Sequence, residues 1–167
     1  MTARHARTVA LAAILITLAP GVWVHARQEL TPAAVAETHA RAGHGDADAQ
    51  YELGIMYAEG RDVPQNDAVA FAWYRQAAEQ GVAEAQFNVG LMYSAGRGVP
   101  RDEAEAVTWY QKAAGQGLAE AQVNLGNHLV NERHISMSAE AVKWYRKAAE
   151  QGHAEAQVNP GAMHANG

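Results

Sequence analysis

From residue 47 onwards the apolar positions fall into two helical stripes that alternate along the chain. In residues 83–118 the first stripe is Ala85, Val89, Met92 and Tyr93, spaced i, i+4, i+7 and i+8 on one helix face. The second is Ala106, Val107, Tyr110, Ala113 and Ala114, again one face. Gly96, Gly98 and Pro100 interrupt the two, because glycine adopts turn conformations at low steric cost and proline cannot continue a helix. Asp102 is placed to cap the second helix, as Asn66 is one unit earlier, with Glu103 and Glu105 in the favourable first turn. Gly81, Gly117 and Gly152 stand where each second helix should stop in the left-handed conformation and turn the chain back.

The whole unit recurs. Residues 47–82 match 83–118 at 18 of 36 positions without a gap, and 119–153 match again one residue short. A fixed period of this length is the signature of a solenoid. Each unit is an antiparallel helix pair whose alanines and Gly90 permit close approach, with the Trp-Tyr dipeptide filling the remaining space. Trp73, Trp109 and Trp144 recur with the period and are expected in the core or between repeats. One pair cannot bury its own stripe, so about three are needed. The predicted fold is all-α: an α-solenoid, or α/α superhelix, with repeats at 47–82, 83–118 and 119–153.

The flanks read differently. Arg4, His5 and Arg7 precede the apolar run 9–19, Pro20 and Gly21 end it, and Val24-His25-Ala26 offers small residues before a cut. Residues 1–26 are therefore read as a secretory signal peptide, the apolar run being too short to span a bilayer. Residues 27–46 form a capping half-repeat: Thr31 and Pro32 start a helix, and Glu37 stands where Trp73 stands in the repeat. The third unit replaces Met-Tyr by His128-Leu129 and the glycine loop by residues 131–136, leaving Ser136 or Ser138 as cap. Residues 154–167 begin a fourth repeat, but Pro160 falls inside what should be a helix, which costs about 3 kcal/mol. The tail is expected to fray, leaving the third unit's apolar face partly open to self-association.

Removing residues 1–26 takes away two arginines and no acid, moving the net charge from −5 to −7. That balance argues against nucleic acid and anionic membrane surfaces. The chain has no cysteine, so helix packing alone holds the stack. Six histidines follow the leader, none in the i, i+4 arrangement with glutamate that zinc peptidases use. His128 and His134 across the third loop, and Asp46 with Asp48, are the only pairs worth weighing as metal ligands; acids at a helix start explain the second pair. Gly96-Arg97-Gly98 lacks the lysine and hydroxyl of a phosphate loop, and no nucleophile motif is present. No cofactor, metal or catalytic residue is assigned.

The pattern A-E-A-Q-x-N-x-G-x-M-Y-x-x-G-x-G-V-P-x-D, then A-x-x-W-Y-x-K-A-A-x-Q-G, resembles the Sel-1-like repeat, a relative of the tetratricopeptide repeat. It covers residues 47–153 closely. The resemblance implies a scaffold whose first helices line a concave groove, where an asparagine in Asn-x-Gly holds a peptide main chain. Asn88 and Asn124 stand in that motif, and Asn127 extends the second to Asn-Leu-Gly-Asn. An amide can both donate and accept, as a peptide main chain requires. Tyr51 and Phe87, at equivalent positions, would add an aromatic edge. Packing between helices is the competing role for all five. The reading is an exported, periplasmic or secreted, non-catalytic adaptor for a protein or peptide. A cell-wall enzyme and a repeat fragment without a ligand are the alternatives. Penicillin binding, linked to cysteine-rich members, has no residue to rest on here.

Overall fold

The computed structural model describes residues 31–133 and 139–153, with the side chains of 131–133 outside that description. The leader, the tail from residue 154, His134 and the serine caps of the third unit lie outside it. Among the described residues every regular element is helical: α1 Pro32–Gly43, α2 Ala47–Glu59, α3 Asp67–Glu79, α4 Ala83–Ala95, α5 Glu103–Gly115, α6 Ala119–Arg133 and α7 Ala139–Glu150. Each helix packs on the next in chain order, so α2/α3, α4/α5 and α6/α7 are hairpin pairs and α1 covers α2.

Local chemistry explains the boundaries. Thr31 caps α1 by accepting from the Ala34 N–H, with Pro32 at the first helical position. Asn66 accepts from Ala68 and Val69, and Asp102 from Glu105. At the other end, Gly81 adopts φ +95 and Gly117 φ +99. There the N–H of Val82 reaches the Ala77 carbonyl, and that of Leu118 reaches Ala113, which satisfies carbonyls the helix leaves open. The third pair departs from expectation. Where α2 and α4 end at left-handed Gly60 and Gly96, α6 has Glu132 and continues through Arg133, taking in residues that the sequence pattern had assigned to the loop.

Within each pair a glycine meets a tyrosine ring. Gly54 lies against Tyr74, Gly90 against Tyr110 and Gly126 against Tyr145. Between pairs the tryptophans serve as packing. Trp109 of α5 is buried in the cluster of Ala70, Tyr74 and Ala77 of α3, Trp144 packs on the core of the second pair, and Trp73 packs on Ala42 and Leu53. Leu53, Met56, Val89 and Leu125 are fully buried, each contributing about 1.5–3 kcal/mol relative to exposure.

Polar stitching repeats with the same period. Gln50, Gln86 and Gln122 are buried, and each donates to a carbonyl eight residues earlier, at Ala42, Ala78 and Ala114. Each also accepts from the glutamine that follows the second helix of its own pair: Gln80, Gln116 and Gln151. One side chain thus ties its helix to the preceding repeat and to its own partner. The second loop docks backwards in the same way. Arg97 pairs with Asp67 of the first repeat at 2.7 Å, and Gly98, at φ +69, lies against the Asp67 carbonyl with no room for a side chain.

Candidate functional site

The residues that carry chemistry are mostly committed to structure. Asp46, weighed with Asp48 as a metal ligand, is the N-cap of α2 and accepts from Ala49. That bond, with Arg41 beside it, holds its carboxyl below the usual aspartate value. His39 sits edge-on to Tyr57 and Trp73, with ring centroids 5.9 and 6.2 Å away. Among the described residues no three acids or histidines gather as a metal would need. A hydroxyl and a carboxylate do meet where Ser94 donates to Glu103 at 3.2 Å. Arg101 binds the same carboxylate at 2.7 Å and, with Ser94, holds it below the usual glutamate value. A carboxylate kept ionised in this way is a weak base, and the serine hydrogen bond ends on it rather than on an imidazole.

The first helices present a different arrangement. Residues spaced i, i+3, i+4 and i+7 share a face of a helix. On α2 that row is Asp48, Tyr51, Glu52 and Ile55; on α4 it is Glu84, Phe87, Asn88 and Leu91; on α6 it is Glu120, Val123, Asn124 and Asn127. The rows of α2 and α4 touch. Burial and the charge of Glu84 push the Tyr51 hydroxyl above its ordinary value, while a hydrogen bond with Asn88 works against them. Tyr51 of the first repeat and Asn88 and Glu84 of the second are therefore one surface.

Each predicted residue has a definite place. Asn88 is half-buried and lies beside Tyr51. Asn124 donates to the Glu120 carbonyl of its own helix at 3.1 Å. Asn127 accepts from the Tyr145 hydroxyl and so braces α6 against α7. Tyr51 and Phe87 are half-buried, each 5.8 Å from the ring behind it, Tyr74 and Tyr110. The structure brings Tyr51 and Asn88 together, and sets Asn124 and Asn127 in the equivalent row of α6.

Two features of this surface had not been singled out. Leu91 is 39% exposed, and Ile55 is its half-buried counterpart on α2. A sequence signal existed, since both fall off the apolar stripe of their helices. The second feature is charge. Through residue 130 the first helices carry Asp48, Glu52, Glu59, Glu84 and Glu120 and no lysine or arginine. The second helices carry both signs, Arg75, Lys112, Lys143, Arg146 and Lys147 beside Asp67, Glu79, Glu103, Glu105, Glu140 and Glu150. Two of these lysines are spent locally, Lys112 over the Trp109 ring at 3.7 Å and Lys147 over Trp144 at 4.6 Å.

Comparison with known proteins fits this geometry. The model of the Sel1 repeat matches residues 47–82, 83–118 and 138–153. Among solved structures, a Sel1 repeat protein from Oxalobacter formigenes is 39% identical with a TM-score of 0.68, over 74% of this chain and 51% of that one. A protective antigen of uropathogenic Escherichia coli strains, described as displaying an SLR fold, is 44% identical with a TM-score of 0.69, over 74% of this chain and 27% of that one. Cysteine rich protein B of Helicobacter pylori, at 22% identity and a TM-score of 0.54, shares the fold over 73% of this chain and 93% of its own. The chain thus spans about half the length of the Oxalobacter protein and about a quarter of the antigen. No curated protein matches the sequence.

Proposed function

The chain belongs to the Sel1 repeat family, and on that premise we propose that it is a non-catalytic scaffold that binds a protein or peptide partner along the row of its first helices. The observation that carries the reading is the continuity of that row. Tyr51, Asn88 and Glu84 form one surface across two repeats, with Leu91 exposed beside them. Repeat stacks bind through such extended surfaces, and a half-buried amide next to an exposed aliphatic side chain offers both parts of a peptide's chemistry.

Export through residues 1–26 belongs to the same proposal. Among the described residues, no helix is long and apolar enough to cross a membrane. Docking at the C-terminal face of the third repeat is the second surface; its cover would come from residues beyond 153, which lie outside the description.

The test is crosslinked capture from an envelope extract with the tagged chain beside an Asn88→Ala/Asn124→Ala variant. Both asparagines lie on the surface row, so the variant should remain helical. The expected result is a discrete partner held by the natural chain and lost by the variant. Equal capture by both moves binding off this row. No specific capture by either overturns the scaffold reading.

A further inference from the structure

The charge layout says what kind of segment the row would hold. This inference rests on the scaffold reading and deepens it. The row carries Leu91, exposed to solvent, and one repeat earlier Ile55, which is half-buried because part of it packs on the core. It is edged by Asp48, Glu84 and Glu120, one carboxylate per repeat in register, and by Glu52 one turn further along α2, where the later repeats have Asn88 and Asn124. None of these carboxylates makes an ion pair among the described residues; several cations of the chain are drawn to other places. Arg97 is held by Asp67, Arg101 by Glu103 and Arg75 by Glu79. Arg41 pairs with Asp46, and Glu52 adds only to the field around it. Asp48, Glu84 and Glu120 also favour their helix starts, which accounts for an acid at each. It does not account for Glu52 and Glu59, further along α2, nor for first helices that carry no cation of their own through residue 130, although the field of Arg41 on α1 reaches Glu52.

We propose that the row binds a basic segment of a partner protein, in which lysine or arginine side chains flank an aliphatic residue seated between Ile55 and Leu91. The aliphatic contact removes apolar surface from water. The flanking cations reach the carboxylates from the solvent side, where each pair adds little alone and the set selects against acidic sequences. Asn88 is placed to meet the segment's main chain.

Fluorescence anisotropy of the purified full chain tests this, with three labelled peptides of about twelve residues that share one central leucine. One peptide carries lysine and arginine, one aspartate and glutamate, and one serine and glutamine. The basic peptide should bind at least about tenfold more tightly than the acidic one, and its affinity should fall about tenfold between roughly 50 and 500 mM salt. An E52Q/E84Q/E120Q variant should lose most of that preference, and L91S should weaken the basic peptide at every salt concentration. Glu84, Glu120 and Leu91 are exposed and Glu52 is half-buried, and circular dichroism checks that both variants fold. Equal or tighter binding of the acidic or uncharged peptide overturns the inference. So does a preference unchanged in the triple variant. In either case, a loss of that binding in L91S would leave the scaffold reading standing. Absence of binding by all three peptides overturns the basic-segment inference, while partner capture decides the scaffold reading separately.

Discussion

Gly90 lies directly against the ring of Tyr110: a Cβ placed on it would come within 2.6 Å of Cε1 and 2.7 Å of Cδ1. Ala106, on the same helix as the tyrosine, leaves no slack, since its carbonyl would stand 3.2 Å from the same atom. The helix pair closes on a glycine because only a glycine fits. Gly90→Ala is therefore expected to destabilise the protein by about 1–3 kcal/mol, the range for overpacking a core. Urea unfolding followed by circular dichroism measures it. A change under about 0.5 kcal/mol, the usual scatter of surface substitutions, would contradict the packing account.

Gln86 is expected to matter as much as a core residue. Replacing it by methionine keeps the volume but takes the side-chain donor from the Ala78 carbonyl, which keeps the Gly81 N–H, and one of the two acceptors from the Gln116 amide, which keeps the Gly81 carbonyl. Two hydrogen bonds at about 0.5–1.5 kcal/mol each put the cost at about 1–3 kcal/mol. Gln111→Met, on the exposed side of α5, should be neutral by the same unfolding measurement.

Asp46 gives a pH signature. Its folded pKa lies below the ordinary 3.8, through the Ala49 N–H first and Arg41 second. Its stabilising effect is thus fully present above the ordinary value and is lost as pH falls through the folded one. Asp46→Ala should cost about 1 kcal/mol at neutral pH, as for other N-caps. Thermal melts of variant and natural chain should converge in strong acid; a constant difference across the acid range would show that the carboxylate is not responsible.

Gly98 and Gly115 should respond in opposite directions to the same change. Gly98 is left-handed and lies on the Asp67 carbonyl, so Gly98→Ala adds both backbone strain and a clash, about 2–3 kcal/mol. Hydrogen exchange should rise in residues 96–101 as the loop leaves the first repeat. Gly115 ends α5 with open space around it, so Gly115→Ala should gain about 0.5 kcal/mol. Loss of stability at residue 115 would contradict the assignment of open space there.

How much of this was legible beforehand depended on the range of each interaction. Asn66, Asp102 and Thr31 announce helix starts because their partners lie two or three residues away. Gly90 and the tryptophans were legible from the period. Gln86 was not, although it recurs in register, because its partners lie eight residues back and 30 ahead. Repetition marks such a position without naming its contacts. The candidate asparagines show the same limit. Asn88 lies beside Tyr51, but the residue equivalent to Tyr51 in the next repeat is Phe87, which has no hydroxyl to offer Asn124. Asn124 accordingly turns to its own helix. At the third position the row changes from Ile55 and Leu91 to Asn127, which captures the Tyr145 hydroxyl, whereas Tyr110 has Ser94. Identical motifs take different partners because their neighbours differ, by one hydroxyl between Tyr51 and Phe87 and by an amide for an aliphatic side chain at Asn127.

The central claim is that the partner lies along the first helices, and site-specific photocrosslinking tests it most directly. Benzoylphenylalanine would be placed singly at positions 88, 91 and 124, and at 75, 111 and 146, which are exposed on the second helices. Irradiation in the presence of envelope extract should give one discrete adduct from the first set and none from the second. The same adduct from positions 75, 111 or 146, with none from 88, 91 and 124, would contradict the account.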